Sequence, residues 1–109
     1  MLSTEKNPKS IGQSLPYTGE MKKSEQFEQF FVEAITERVA ASPLSHSEFG
    51  RKIFESDSGA RLWRATREKK RKRGLSIGEA YLMAEALGVD FPALLWEITQ
   101  EGKNKGILT

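Results

Sequence analysis

The chain has 109 residues, the length of one domain, with no cysteine and a single histidine, His46. Disulfide frameworks, thiolate metal sites and cysteine nucleophiles are thereby excluded, and any histidine relay would rest on His46 alone. No apolar run approaches the roughly 20 residues needed to cross a bilayer, and no secretory signal opens the chain. A cytoplasmic protein without membrane contact is expected.

The net charge of +2 hides an asymmetry. Residues 51–73 hold ten Lys and Arg against three Asp and Glu, a local charge of +7, while the remainder sums to −5. A focused positive field beside an acidic remainder points to a polyanionic partner rather than to general stickiness.

Residues 1–22 combine Pro8, Pro16, Gly12 and Gly19 with scattered Ser, Thr, Asn and Lys, and read as a disordered arm. Leu15-Pro16-Tyr17-Thr18-Gly19 matches the pentapeptide that sortases cut, but no apolar tail and basic end follow it, so it is a chance match. From Ser24, the residues Phe27, Phe30, Phe31, Ala34, Ile35 and Val39 recur at spacings of three and four, which predicts a helix. Pro43 ends it. Ser45-His46-Ser47-Glu48 is a capping box opening a short second helix with Phe49, Ile53 and Phe54 inward.

Glu55 to Gly59 is a break, and a third helix starting near Asp57 carries Ala60 and Trp63 toward the core. Ser76-Ile77-Gly78-Glu79 is a second capping box, predicting a fourth helix with Ile77, Ala80, Tyr81, Ala84 and Leu87 inward and Gly88 as its C-terminal cap. Asp90 caps a fifth helix with Phe91, Leu94, Leu95 and Ile98 inward. After Gln100 the chain is expected to fray. The domain is thus expected over 23–100, with a flexible tail over 101–109. No run shows the period-two alternation of a strand, so the fold class is all-α.

Two short helices joined by a tight break suggest a helix-turn-helix. Leu44-Ser45-His46-Ser47-Glu48-Phe49-Gly50-Arg51-Lys52-Ile53 resembles the opening of that motif in the Cro and lambda-type (XRE-type) repressors. Trp63 falls where that family often has a tryptophan closing its recognition helix. Leu75 to Val89, above all the ending Ala86-Leu87-Gly88-Val89, is similar to the family's fourth helix. The resemblance covers about residues 27–98 and implies a five-helix, lambda-repressor-like DNA-binding domain. There are departures. His46 replaces a glutamine, Gly50 an alanine and Phe54 a turn glycine, and the stretch from Trp63 to Ser76 is longer and more basic. The sequence leaves open whether residues 64–74 extend the recognition helix or form a basic loop.

A helix reads DNA by placing polar side chains in the major groove. With Trp63 inward, the outward face of the third helix supplies Asp57, Ser58, Gly59, Arg61 and Leu62 as base-reading candidates. Arg61 can donate twice to guanine, Leu62 can touch a thymine methyl, and Gly59 permits close backbone approach. Phosphate contacts are expected from Ser45, His46 and Ser47 at the start of the second helix, and from Arg64, Arg67, Lys69, Lys70, Arg71, Lys72 and Arg73.

The expected function is sequence-specific recognition of double-stranded DNA by a transcriptional regulator, expected to be a repressor associated with the nucleoid. A DNA-binding antitoxin and an RNA-binding module are the alternatives. No enzyme, metal or cofactor is expected, since nothing resembles a phosphate loop, a ligand set or an activated nucleophile. A homodimer through the fifth helix (Phe91, Leu95, Trp96) is expected, with Trp96 off the inward stripe and exposed.

Overall fold

The computed structural model of the chain describes residues 22–71 and 73–108. The arm expected over 1–22, with its Leu15–Gly19 pentapeptide, lies outside them apart from Lys22. Five helices follow in chain order: α1 Lys23–Ala40, α2 His46–Phe54, α3 Gly59–Arg67, α4 Ile77–Leu87 and α5 Phe91–Asn104. The all-α expectation is met, with no strand among the described residues.

α1 is the central element and packs against each of the other four helices. Its Phe30, Phe31, Ala34, Ile35 and Val39 are buried, as their spacing predicts, and Val32 widens the buried face. The helix stops before Pro43 because Ser42 takes over its end. The Ser42 hydroxyl donates to the Val39 carbonyl at 2.7 Å and accepts the Leu44 N–H at 3.1 Å. Trp63, Phe49, Ile35, Met83, Ile98 and Val39 are fully enclosed. Each such side chain contributes about 1.5–3 kcal/mol of burial, so this cluster is the main favourable term.

Both capping boxes close. The Ser45 hydroxyl accepts the Glu48 N–H at 3.1 Å while the Glu48 carboxylate accepts the Ser45 N–H at 3.0 Å. Ser76 and Glu79 repeat the exchange at 3.0 Å in both directions. Gly88 takes the left-handed conformation, φ 73°, that stops α4, and the Asp90 carboxylate caps α5 by accepting the Ala93 N–H.

Two expectations fail here. On α4 the inward residues are Ala80, Met83 and Ala84, whereas Ile77 is 80% and Tyr81 52% exposed. The reason is that α4 is apolar around most of its circumference, so spacing alone does not resolve which stripe faces the other helices, α2 above all. The second failure is at the C-terminus. α5 continues past Gln100 to Asn104, and the Ile107 and Leu108 N–H groups both donate to the Gly102 carbonyl, at 2.9 and 3.0 Å. Leu108 folds back over Gly102, beside Phe30, in space that any side chain at 102 would occupy. Glu101 meanwhile pairs with Arg38 of α1 at 2.5 Å. Residues 101–108 are therefore part of the packed domain.

Candidate nucleic-acid interface

α2 and α3 make the most extensive helix pair in the fold. They cross at two glycines, Gly50 and Gly59, both buried. A Cβ on Gly59 would lie 2.5 Å from the Gly50 carbonyl oxygen and 2.6 Å from the Arg51 Cα. One on Gly50 would lie 2.5 Å from the Gly59 oxygen. The two backbones are therefore in direct contact, and no side chain fits between them. The turn is residues 55–58. Its left-handed residue is Glu55, φ 50°, a conformation that costs a non-glycine residue about 1–2 kcal/mol. Phe54, which stands where the resembling family has glycine, remains helical.

Below the crossing, Trp63 fixes the rotation of α3. Its ring packs on Phe49 at 5.0 Å between centroids with a 59° tilt. The indole N–H donates to His46 Nδ1 at 3.1 Å, which leaves the neutral imidazole with its proton on Nε2. Burial, and secondarily the Arg67 charge, hold His46 below its ordinary pKa. The Arg67 guanidinium lies 5.4 Å from the Trp63 ring centroid, in cation–π reach, and its Nε is buried without a hydrogen-bond partner among the described residues.

With Trp63 inward, Asp57, Arg61 and Leu62 are exposed and Ser58 is half-buried. Among the described residues the Arg61 guanidinium has one partner, the Ser58 hydroxyl, at 3.2 Å. The structure corrects three expectations, for the start of α3, Gly59 and Arg67, and narrows a fourth, for His46. α3 begins at Gly59 rather than near Asp57, with Ser58 as a cap residue that makes no side-chain capping bond. Gly59 serves the α2 crossing and is not presented outward. His46 holds Trp63 with one ring nitrogen, so only Nε2 remains for an outside ligand. Arg67 covers Trp63 instead of standing free.

The basic stretch after Trp63 is mostly a loop. α3 ends at Arg67, and residues 68–76 lead to α4, with Lys69 in the left-handed region, φ 61°. Carboxylates shape this loop. Glu79 binds Arg73 at 2.8 Å and Arg71 at 3.5 Å with the same oxygen, while its other oxygen caps Ser76. Burial raises the Glu79 pKa, but the Ser76 N–H and the two guanidinium groups outweigh it and hold the carboxyl below its ordinary value. From α1, Glu28 accepts the Leu75 N–H at 3.2 Å.

Arg71 is a further correction. Its side chain is only 13% exposed, lies 5.0 Å from the Phe54 ring centroid and donates to the Thr66 hydroxyl, so it is a structural residue of the loop rather than a phosphate contact. Arg64 and Lys70 both meet Glu68, at 3.2 and 3.4 Å, but remain 73% exposed. Lys69, Arg73, Ser45 and Ser47 are exposed as well. Lys72 lies outside the described residues. Arg51 and Lys52, exposed on the last turn of α2, add to the basic surface. They belong to the +7 segment of the sequence, but no motif singles them out.

Among the described residues no group of three or more acids and histidines is placed to hold a metal, and no helix is long and apolar enough to cross a membrane. No protein-family model, curated protein or solved structure matches the chain.

Proposed function

We propose that this chain is a transcriptional regulator, acting as a repressor, that binds double-stranded DNA in a sequence-dependent way through the outward face of α3. The observation that carries the reading is the state of Arg61. It projects from a short helix held backbone-to-backbone on its neighbour, and among the described residues no carboxylate pairs with it. A guanidinium on a rigid, exposed helix can donate two parallel hydrogen bonds to the guanine edge in the major groove. Ser58, Leu62 and Asp57 are the other base-facing residues. Phosphates are met by Ser45 and Ser47 at the start of α2, by Nε2 of His46, and by Arg64, Lys69, Lys70 and Arg73, which give affinity without base choice.

One such motif covers few base pairs, so the reading includes a homodimer whose two α3 helices enter successive major grooves about 34 Å apart. Of Phe91, Leu95 and Trp96 on α5, the first two are half-buried and Trp96 is 65% exposed, so Trp96 leads that surface. A nucleoid-associated location follows from the same reading.

The test is a binding selection from random duplexes. A recovered palindrome with half-sites one helical turn apart is the expected result. Recovery of unrelated sequences, or preferential retention of single-stranded RNA in a parallel selection, would contradict the reading.

A further inference from the structure

The turn from α4 into α5 carries a groove that takes no part in the DNA surface above. It measures about 280 Å³, is walled by Tyr81, Val89, Phe91 and Pro92, and is edged by Glu85 and Asp90. Phe91 meets the Tyr81 ring edge-on at 6.0 Å, so one wall is aromatic. Tyr81 is nevertheless 52% exposed, and its ring has surface left to cover. None of these residues is a proposed DNA contact, and Phe91 alone is shared with the α5 surface.

The groove is negative as well as apolar. No Lys, Arg or His lines it, and Glu85 has no ion partner among the described residues. Glu85 stands in the last turn of α4, which carries no basic residue. The C-terminal end of a helix holds roughly half a negative charge and favours a cation beside it. The positive start of α5 faces the same groove, but Asp90 already offsets it. One Asp90 oxygen accepts the Ala93 N–H at 3.2 Å, and the other has no hydrogen-bond partner among the described residues. Glu85 is therefore the charge left without a counterpart.

We infer that this groove binds a small organic cation, an ammonium group carried on an aromatic ring by a short aliphatic arm. The ring lies against Tyr81, Phe91 and Pro92, and the ammonium donates to Glu85 and Asp90. An ammonium has three N–H donors and no acceptor, so a pair of carboxylates suits it and an anion is repelled. Tyr81 and Glu85 stand one turn apart on α4, about 6 Å along its axis, which fits a ring and a charge two carbons away. The face of Tyr81 also attracts a cation directly. Ligand pockets begin at about 300 Å³, so the groove has room for one ring and its arm and little more. Neither half of the ligand suffices alone, because a bare ammonium leaves the aromatic wall wet and a neutral ring gains nothing from the carboxylates.

The test is an NMR titration of the full chain without nucleic acid, at constant ionic strength, with phenethylammonium chloride as the probe. The Tyr81 and Phe91 ring signals should shift and saturate. Phenethyl alcohol, which keeps the ring, and ethylammonium, which keeps the charge, should each bind about tenfold more weakly or worse. Glu85→Gln should raise the dissociation constant of the probe about tenfold, and Tyr81→Ala about threefold or more. Both positions are exposed, and far-UV circular dichroism with a thermal melt checks that each variant folds. Shifts that never saturate, or that saturate on residues away from the groove, overturn the inference. So does binding of the alcohol or of ethylammonium as tight as that of the probe, or a Glu85→Gln variant that binds like the wild type. The DNA reading stands or falls separately, since no step of the titration uses it.

Discussion

On α3, Arg61 reaches outward with a single hydroxyl as partner among the described residues, whereas Arg71, ten residues on, lies against Phe54, Thr66 and Glu79 with little of its side chain in water. Both belong to the same basic segment of the sequence. The helix displays its charge on a backbone fixed by Gly50 and Gly59. The loop uses part of its charge to hold its own shape, through Glu68 and Glu79. A count of Lys and Arg therefore overstates what a polyanion can meet, and the surplus is unevenly placed. Lys69, Lys70 and Arg73 face solvent, while Arg71 and Arg67 are structural.

The sharpest way to break the helical side is to separate the two backbones. Gly59→Ala places a methyl against the Gly50 carbonyl, which has no side-chain freedom to yield. A loss of about 1–3 kcal/mol or more is expected in urea unfolding, with specific binding lost as α3 tilts. Gly78→Ala is the contrasting change. Its Cβ would meet only the Ser76 hydroxyl, at 3.9 Å, so a gain of about 0.4–1 kcal/mol is expected. Equal effects at the two glycines would contradict the crossing.

The loop side is tested by Arg71→Ala, which should cost about 1–2 kcal/mol because it removes the stacking on Phe54 and the hydrogen bonds. Lys69→Ala and Lys70→Ala should stay within about 0.5 kcal/mol. If the three cost the same, Arg71 is not the structural member of the loop.

His46 supplies a pH-dependent term of smaller size. Its pKa is lowered in the folded chain, so the neutral form is favoured by folding. The stability it contributes is complete above the unfolded value of about 6.5 and is lost as the pH falls through the lower folded value. Melting temperatures from pH 8 to pH 5 should therefore decline below about 6.5 in the wild type. That part of the decline should be absent in His46→Gln, whose amide oxygen can still accept the Trp63 N–H. A variant with the same pH profile as the wild type would remove His46 from this role.

How much of this is legible in the sequence follows from how local each feature is. The starts of α2 and α4 are readable because Ser45 with Glu48, and Ser76 with Glu79, complete their hydrogen bonds within one turn. Gly88 and Trp63 are readable for similar reasons, the one from the turn it makes and the other from its place at i, i+3 from Ala60. The inward stripe of α4 is not readable, because apolar residues on several faces leave the phase undefined until α2, α5 and α1 pack against it. Gly102 looks like a breaker, yet its missing side chain is what lets Leu108 return to the core. Gly59 reads as room for DNA, when the backbone it admits is that of Gly50. The partners of Arg71 and of His46 come from other elements, and no spacing rule announces them.

The smallest changes in stability accompany the most informative changes in binding. Replacing Lys69 and Lys70 together by alanine should leave folding intact. It should also reduce the salt slope of DNA binding by roughly 0.9 for each phosphate left without its lysine, equally on every duplex. An unchanged slope would place these lysines away from the backbone.

Arg61→Ala, titrated in parallel on the selected duplex and on a scrambled one, tests the central claim most directly. The account predicts a loss of about 1–3 kcal/mol on the selected duplex, relaxed choice at one base position, and little change on the scrambled one. An equal loss on both duplexes would make Arg61 a phosphate contact and contradict the placing of α3 in the groove.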